Sequence, residues 1–381
     1  MTPPETAVLA PPEAEVPPAG TASAPVADDS SPVMSRVMPS HRRRNVPFTV
    51  VFELTRKCNI HCVHCYATPH QGRPELSTER IKSTIDELRA LGTMFVLFTG
   101  GEFAVRRDWL DIFRHTHARK MGIQFFTNAT RFDDAAVAEL AKLNVFHAGV
   151  SVYGATAATH EAVTCSPGSF EKTIRNAIRL REAGIHTVLK FILMDANIHE
   201  YDAMLEMAGR LGLFFKADVS MMPRDNRDMR PIRMRIGPEH LRRIFRDRHA
   251  ASGPGGPAAG LAGEAADAGG GDEFRCGMGS TFCSINAYGD VYPCVQLPIP
   301  AGNLAEKSFT EVWTGSSLLA EMRRYGGDRL RICPSCRYRR HCHRCPGVTY
   351  QEDGDLDGPS TSGCREALAW KDVVEGPDPL F

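Results

Sequence analysis

The sequence predicts an α/β protein in two parts, a partial (β/α)6 barrel followed by a small cysteine-rich domain. Three observations support this. Short apolar runs alternate six times with segments of helical periodicity between residues 50 and 248. A Gly/Ala/Pro-rich stretch occupies 251–273, and eight of the twelve cysteines follow it. Strand and helix alternating at this spacing are the mark of βαβ units and a parallel sheet.

The elements follow in order. Residues 1–45 hold nine prolines and little periodicity, and read as a disordered Pro/Ala-rich arm ending in His41-Arg42-Arg43-Arg44. Val50, Val51, Phe52 and Leu54 form a buried strand. Apolar spacing of three and four over 78–91 predicts a helix, capped by Ser77 or Thr78 and stopped by Gly92. Strands follow at 94–98, 123–126, 145–150, 186–193 and 215–221, with helices at 107–119, 133–142, 169–183, 199–210 and 238–248. Six such units make an open, TIM-like barrel over 46–250, where chemistry gathers at the C-terminal strand ends. The stretch 251–273 reads as a flexible linker or insertion. Residues 274–381 are turn-rich and weakly periodic, a segment that bound metal would hold together.

Composition narrows the function. Over 381 residues, 43% hydrophobic and 24% charged residues describe an ordinary globular chain with a real core. Lys+Arg 45 against Asp+Glu 45 removes the simplest argument for nucleic-acid or membrane attraction. No apolar stretch approaches the ~18–20 residues that span a bilayer. The start lacks the basic-then-apolar pattern of an export signal, so a reducing cytoplasmic setting is expected. There, metal ligation explains twelve cysteines better than disulfides do.

The segment CNIHCVHC places Cys58, Cys62 and Cys65 directly after the first strand. Three thiolates on one short loop can hold three corners of an iron–sulfur cube and leave the fourth iron open. Zinc is the alternative, with His61 or His64 as fourth ligand. Thr99-Gly100-Gly101-Glu102 follows the second strand, Thr127-Asn128 follows the third, and Ser151 ends the fourth. The glycines permit close backbone approach, and Glu102 can accept a charged amine. All sit at the same end of their strands as the cysteine loop.

With these residues in view, the sequence resembles the radical S-adenosylmethionine superfamily over roughly residues 48–222. CNIHCVHC is similar to its C-x3-C-x2-C motif and Gly100-Gly101-Glu102 to its methionine-amino-binding motif. The resemblance implies that Cys58, Cys62 and Cys65 ligate a 4Fe–4S cluster. It also implies that S-adenosyl-L-methionine chelates the open iron and is cleaved reductively to a 5′-deoxyadenosyl radical. By the same resemblance His64 lies beside the adenine, Gly100, Gly101 and Glu102 contact the methionine end, and Asn128 and Ser151 face the ribose. Phe103 stands where the family often has proline.

Cys276, Cys283, Cys294, Cys333, Cys336, Cys342, Cys345 and Cys364 supply the ligand count of two further clusters. Gly289 to Cys294 and the run CPSCRYRRHCHRC resemble the SPASM extension of these enzymes. The pattern implies an inner auxiliary cluster on Cys276, Cys283, Cys294 and Cys345, and an outer one on Cys333, Cys336, Cys342 and Cys364. Two residues rather than three separate Cys342 from Cys345, a departure from the pattern. A zinc ribbon is the competing reading of the paired C-x2-C spacings. GNLAEKSFTEVW (302–313) resembles the helix-leading segment of the same domain.

Cys165 remains unassigned: either a small apolar filler, or a thiol that returns a hydrogen atom to a substrate radical. Nine arginines over 224–248 read as a solvated face or a landing strip for an acidic peptide. The resemblance implies an enzyme that modifies a ribosomally made peptide by crosslinking, oxidation or epimerisation. It further implies an electron donor such as flavodoxin or ferredoxin and, absent a winged-helix module, a separate leader-peptide recognition protein. The rivals are a sulfatase-maturase-like enzyme, a haem-pathway relative and a non-catalytic zinc scaffold. The first would carry Asp after the Cys of G-x4-C, where Cys294 is followed here by Val295 and Gln296.

Overall fold

The computed structural model describes residues 34–69, 72–143, 145–252 and 276–377. In chain order it contains α1 (Met34–Arg44), β1 (Thr49–Glu53), α2 (Thr78–Leu91), β2 (Phe95–Thr99), α3 (Trp109–Ala118), β3 (Gly122–Thr127), α4 (Asp134–Lys142) and β4 (His147–Val152). There follow α5 (Ala157–Thr164), α6 (Ser169–Glu182), β5 (Thr187–Ile192), α7 (Tyr201–Arg210), β6 (Phe214–Asp218) and α8 (Pro238–Ser252). The last part holds β7 (Phe282–Ile285), β8 (Asp290–Tyr292), β9 (Gly302–Asn303), α9 (Phe309–Gly315), α10 (Ser317–Arg323), α11 (Pro346–Asp353) and α12 (Thr361–Glu375).

The strands among the described residues form one sheet in the order β6-β5-β4-β3-β2-β1-β7-β8-β9. The first six lie side by side in chain order, each parallel to the next, as an opened (β/α)6 barrel requires. Alternation along each strand sorts the side chains. Val50, Phe52, Val96, Phe98, Phe125, Val150 and Phe191 pack under the helices in the main core. Glu53, Gln124, Ser151 and Lys190 take the opposite face. The predicted caps of α2 are in place: the Ser77 hydroxyl accepts from the Arg80 N–H, and Gly92 closes the helix at φ 102°.

Three boundaries differ from the sequence reading. Residues 34–44 are helical rather than part of a disordered arm. Val37, Met38 and His41 fall on one face, Pro39 masks the pattern, and the His41 ring meets Phe48 edge-on at 5.2 Å. Residues 1–33 lie outside the described residues. So do 253–275, nearly all of the stretch read as a linker, while 251–252 continue α8. The cysteine-rich part is not a detached unit: β7 pairs in parallel with β1, with Val50 opposite Cys283. α9 packs back on the barrel, the Trp313 indole N–H donating to the Asn45 carbonyl at 2.7 Å. Helix α5 lacks the strong periodicity of its neighbours and was not foreseen. Its signal is Thr156, whose hydroxyl accepts from the Thr159 N–H. Among the described residues no helix is long and apolar enough to cross a membrane.

Candidate active site and metal centres

The cysteine loop leaves β1 without regular structure and is tied at both flanks. The His61 and Val63 N–H groups donate to the Thr164 and Val163 carbonyls, each at 3.0 Å. Further along, the Thr68 N–H donates to Asp225 at 3.1 Å, and Asp225 also pairs with Arg56 at 2.5 Å. Arg56 is bound on its other side by Glu53 at 2.9 Å, and Glu53 accepts from the Tyr66 hydroxyl at 3.1 Å. This buried Glu53–Arg56–Asp225 knot was not anticipated. Its signal is an acid closing an otherwise apolar strand.

Cys58, Cys62 and Cys65 lie within electrostatic reach of one another. Burial pushes Cys58 up to about 11 and raises Cys62 and Cys65 as well. Buried thiols of this kind stay protonated until a cation displaces the proton, which suits metal-coupled ionisation. Among the described residues no three His, Cys, Asp or Glu side chains are close enough to hold one metal ion.

The Gly100-Gly101-Glu102 turn is clipped onto the root of this loop. The Gly101 and Glu102 N–H groups donate to the Thr55 and Lys57 carbonyls at 2.7 and 2.9 Å. A Cβ on Gly100, at φ 143°, would sit 2.4 Å from the Thr55 oxygen, and one on Gly101 would sit 2.4 Å from that of Lys57. Only glycine allows this approach. Glu102 is 1% exposed, and its carboxylate is already bonded. It accepts the Thr127 hydroxyl at 2.9 Å, the Asn128 N–H at 2.7 Å and the Ala104 N–H at 3.3 Å. The carboxylate expected to take a ligand amine is thus also a structural anchor for the strand end. Its oxygens fix the end of β3, and burial raises its pKa to about 7. Phe103 is buried against Phe113, Trp109 and Phe125, which explains an apolar residue there.

The other predicted contacts gather at the same end. Asn128 directs its side-chain N–H group to Cys58 Sγ at 3.8 Å and to the Asn59 side-chain oxygen at 3.2 Å. The Tyr153 hydroxyl bonds with both Ser151 and Cys62. Its ring meets that of His64 edge-on at 4.6 Å. Burial lowers His64 to about 4, so the imidazole is neutral, and its Nδ1 has no hydrogen-bond partner. Tyr153 was missed, although it shares strand parity with Gly149 and Ser151. Cys165 is exposed rather than an apolar filler. It caps α5 at φ 50° within electrostatic reach of Cys62.

The C-terminal cysteines fall into two groups. Cys342 and Cys364 lie within electrostatic reach of Cys333 and Cys336, the neighbours expected of the outer set. Cys276, Cys294 and Cys345 form the inner set, and the Cys345 thiol donates to the Gln296 side-chain oxygen at 2.8 Å. Cys283, expected in the inner set, stands apart from both groups. It is fully buried in the main core on β7, and its charged neighbour is Arg323. Several of the nine arginines over 224–248 are engaged in ion pairs within the chain. Arg230 pairs with Asp228, Arg243 with Asp202, Arg242 with Asp372 and Arg235 with Glu352.

Comparison with known proteins agrees with this geometry. A family profile described as the radical SAM superfamily matches residues 52–208, and one described as an iron-sulfur cluster-binding domain, SPASM, matches 276–346. The AdoMet-dependent heme synthase of Methanosarcina barkeri is 28% identical over 82% of this chain and 94% of its own length. The mycofactocin maturase MftC of Mycobacterium tuberculosis is 28% identical over 87% of this chain and 86% of its own. Among solved structures, SuiB of Streptococcus suis bound to its precursor peptide SuiA shares the fold with a TM-score of 0.67 at 16% identity, covering 87% of this chain and 80% of SuiB. The chain therefore belongs to the radical S-adenosylmethionine superfamily, in the branch whose members carry a C-terminal SPASM iron–sulfur domain.

Proposed function

We propose that the protein modifies a ribosomally made peptide by hydrogen-atom abstraction, leading to a crosslink, an oxidation or an epimerisation. The observation that carries the radical chemistry is the convergence of Cys58, Cys62 and Cys65 with the Gly100–Glu102 turn and Asn128 at one end of the barrel. S-adenosylmethionine and a 4Fe–4S cluster, when bound there, supply a 5′-deoxyadenosyl radical. The chain's own residues do the rest: Glu102 and Asn128 position the cysteine loop, and Tyr153 and His64 wall its far side. Cys165 stands at the rim, where its thiol can return a hydrogen atom to a substrate radical. Similarity to MftC across both domains, and the fold shared with peptide-bound SuiB, support a peptide as substrate. The C-terminal cysteines would hold two auxiliary clusters, which would supply an electron path, with a flavodoxin or ferredoxin as donor and a separate leader-binding protein as partner.

The test is a search for a short peptide encoded beside its gene, followed by incubation of that peptide with reduced, anaerobic enzyme. Loss of two hydrogens indicates crosslink or oxidation, and unchanged mass with altered stereochemistry indicates epimerisation. The similarity to the heme synthase favours one second reading, action on an iron tetrapyrrole side chain. Conversion of a tetrapyrrole while the peptide is untouched would select that reading instead.

A further inference from the structure

Register places Ser151, Lys190 and Lys216 side by side across β4, β5 and β6, on the concave face turned away from the helices. Toward the N-terminal strand ends this face carries a belt of rings. Phe126 meets His147 at 6.2 Å, His147 meets His186 at 5.8 Å, and His186 meets Phe214 at 4.7 Å. Burial, then Lys190, His186 and Lys216, push His147 down to about 4, so this ring is neutral and both ammonium groups lie within its electrostatic reach. Lys190 is led over the belt by a glycine. Its ammonium group sits 3.4 Å from the centre of the Phe126 ring, two strands away. A Cβ on Gly149 would stand 2.9 Å from Lys190 Cδ and 2.6 Å from Phe126 Cδ1, so only glycine lets the lysine stem cross β4. Phe126, Ser151, Lys190 and Lys216 are half-buried, whereas Phe125, Val150 and Leu189 on the helix-covered face are buried. The concave face is therefore accessible at these lysines.

Two like charges facing each other across a ladder repel, and an anion held between them removes that cost. The acid on this face of β6, Asp218, is turned to other partners. It accepts the Ser220 N–H at 2.8 Å and lies within electrostatic reach of Arg248 and Glu366. We propose that Lys190 and Lys216 seat a carboxylate of the substrate on the floor of the barrel, with the ring belt taking the apolar part beside it. This deepens the peptide reading, and rests on its premise that the substrate enters the concave face. The carboxylate belongs to a chain terminus or to an acidic side chain. The two lysines hold the substrate and take no part in breaking a bond.

The test uses anaerobic holoenzyme saturated with S-adenosylmethionine, so that the open iron and the groups that hold the cofactor are already occupied. The probe is para-fluorobenzoate, a carboxylate on a ring, followed by fluorine NMR line broadening. It should bind at millimolar concentration, and para-fluorobenzamide, which lacks the charge, should not. Lys190→Met and Lys216→Met, with circular dichroism alongside, should each weaken binding about tenfold, and Lys190→Arg should keep most of it. N-acetylphenylalaninate and N-acetylglutamate α-amide then compete with the probe. Displacement by the first assigns the seat to a chain terminus, and displacement by the second to an acidic side chain. Equal binding of the benzamide overturns the inference in the unaltered enzyme, whatever the variants do. So does full binding in both folded methionine variants, binding only when the cofactor is withheld, or displacement by neither amino acid. Binding as stated with no peptide converted sinks the peptide reading and leaves the carboxylate seat standing.

Discussion

The backbone N–H of Asn128 donates to the buried carboxylate of Glu102 at 2.7 Å, so a side chain from the end of β2 fixes the end of β3. Burial holds Glu102 near pKa 7, well above the usual glutamate value. Its stabilising contribution is therefore complete below about pH 4.5 and is lost as pH rises through about 7. Glu102→Gln cannot titrate. It should be less stable overall, because its amide faces donors, but its thermal unfolding should be flatter between about pH 5 and pH 8, by roughly 3 kcal/mol at most. Parallel slopes for the two proteins would contradict this.

Gly101→Ala has no room for its Cβ beside the Lys57 carbonyl. The cysteine loop must move, and the variant should lose about four irons while both C-terminal clusters remain. Iron analysis with a 5′-deoxyadenosine assay reads both effects.

Asn128→Ala removes the amide that touches Cys58 and Asn59. We expect iron to be retained, a shifted resonance from the N-terminal cluster, and cofactor cleavage lowered about tenfold, equivalent to ~1.4 kcal/mol. An unshifted resonance would remove the positioning role.

Cys165→Ala should leave 5′-deoxyadenosine formation intact while changing product yield or stereochemistry, measured by chiral amino-acid analysis after hydrolysis. An unaltered product would show that the exposed thiol is idle.

Arg235 ties the segment after β6 to Glu352 on α11, a pair almost wholly buried. Arg235→Ala leaves that carboxylate uncompensated and should cost about 3–5 kcal/mol. Arg235→Ala/Glu352→Leu should recover much of the loss in denaturant unfolding.

Much of the site could be read from covalent spacing. Cys58, Cys62 and Cys65 share a loop because their separations leave no alternative, and strand periodicity brings Gly100–Glu102, Asn128 and Ser151 to the same end. What escaped depends on which side of a strand a residue faces, and on what packs there. Cys283 enters the sequence reading as one thiol of eight, and only its parity with Ile285 reveals the apolar face it takes. Glu102 reads as a ligand contact, and only the fold shows the three donors that converge on its carboxylate. Arg56 and Asp225 are 169 residues apart, and no local pattern announces their pairing.

Because β7 continues the ladder past β1, the two cluster-bearing regions are indexed to each other by hydrogen-bond register rather than by a hinge. Donor and acceptor sites for an electron would then stay at constant separation while a substrate comes and goes. A chain cut before residue 276 would leave β1 as a raw, sticky border, and it should aggregate rather than survive as a trimmed enzyme.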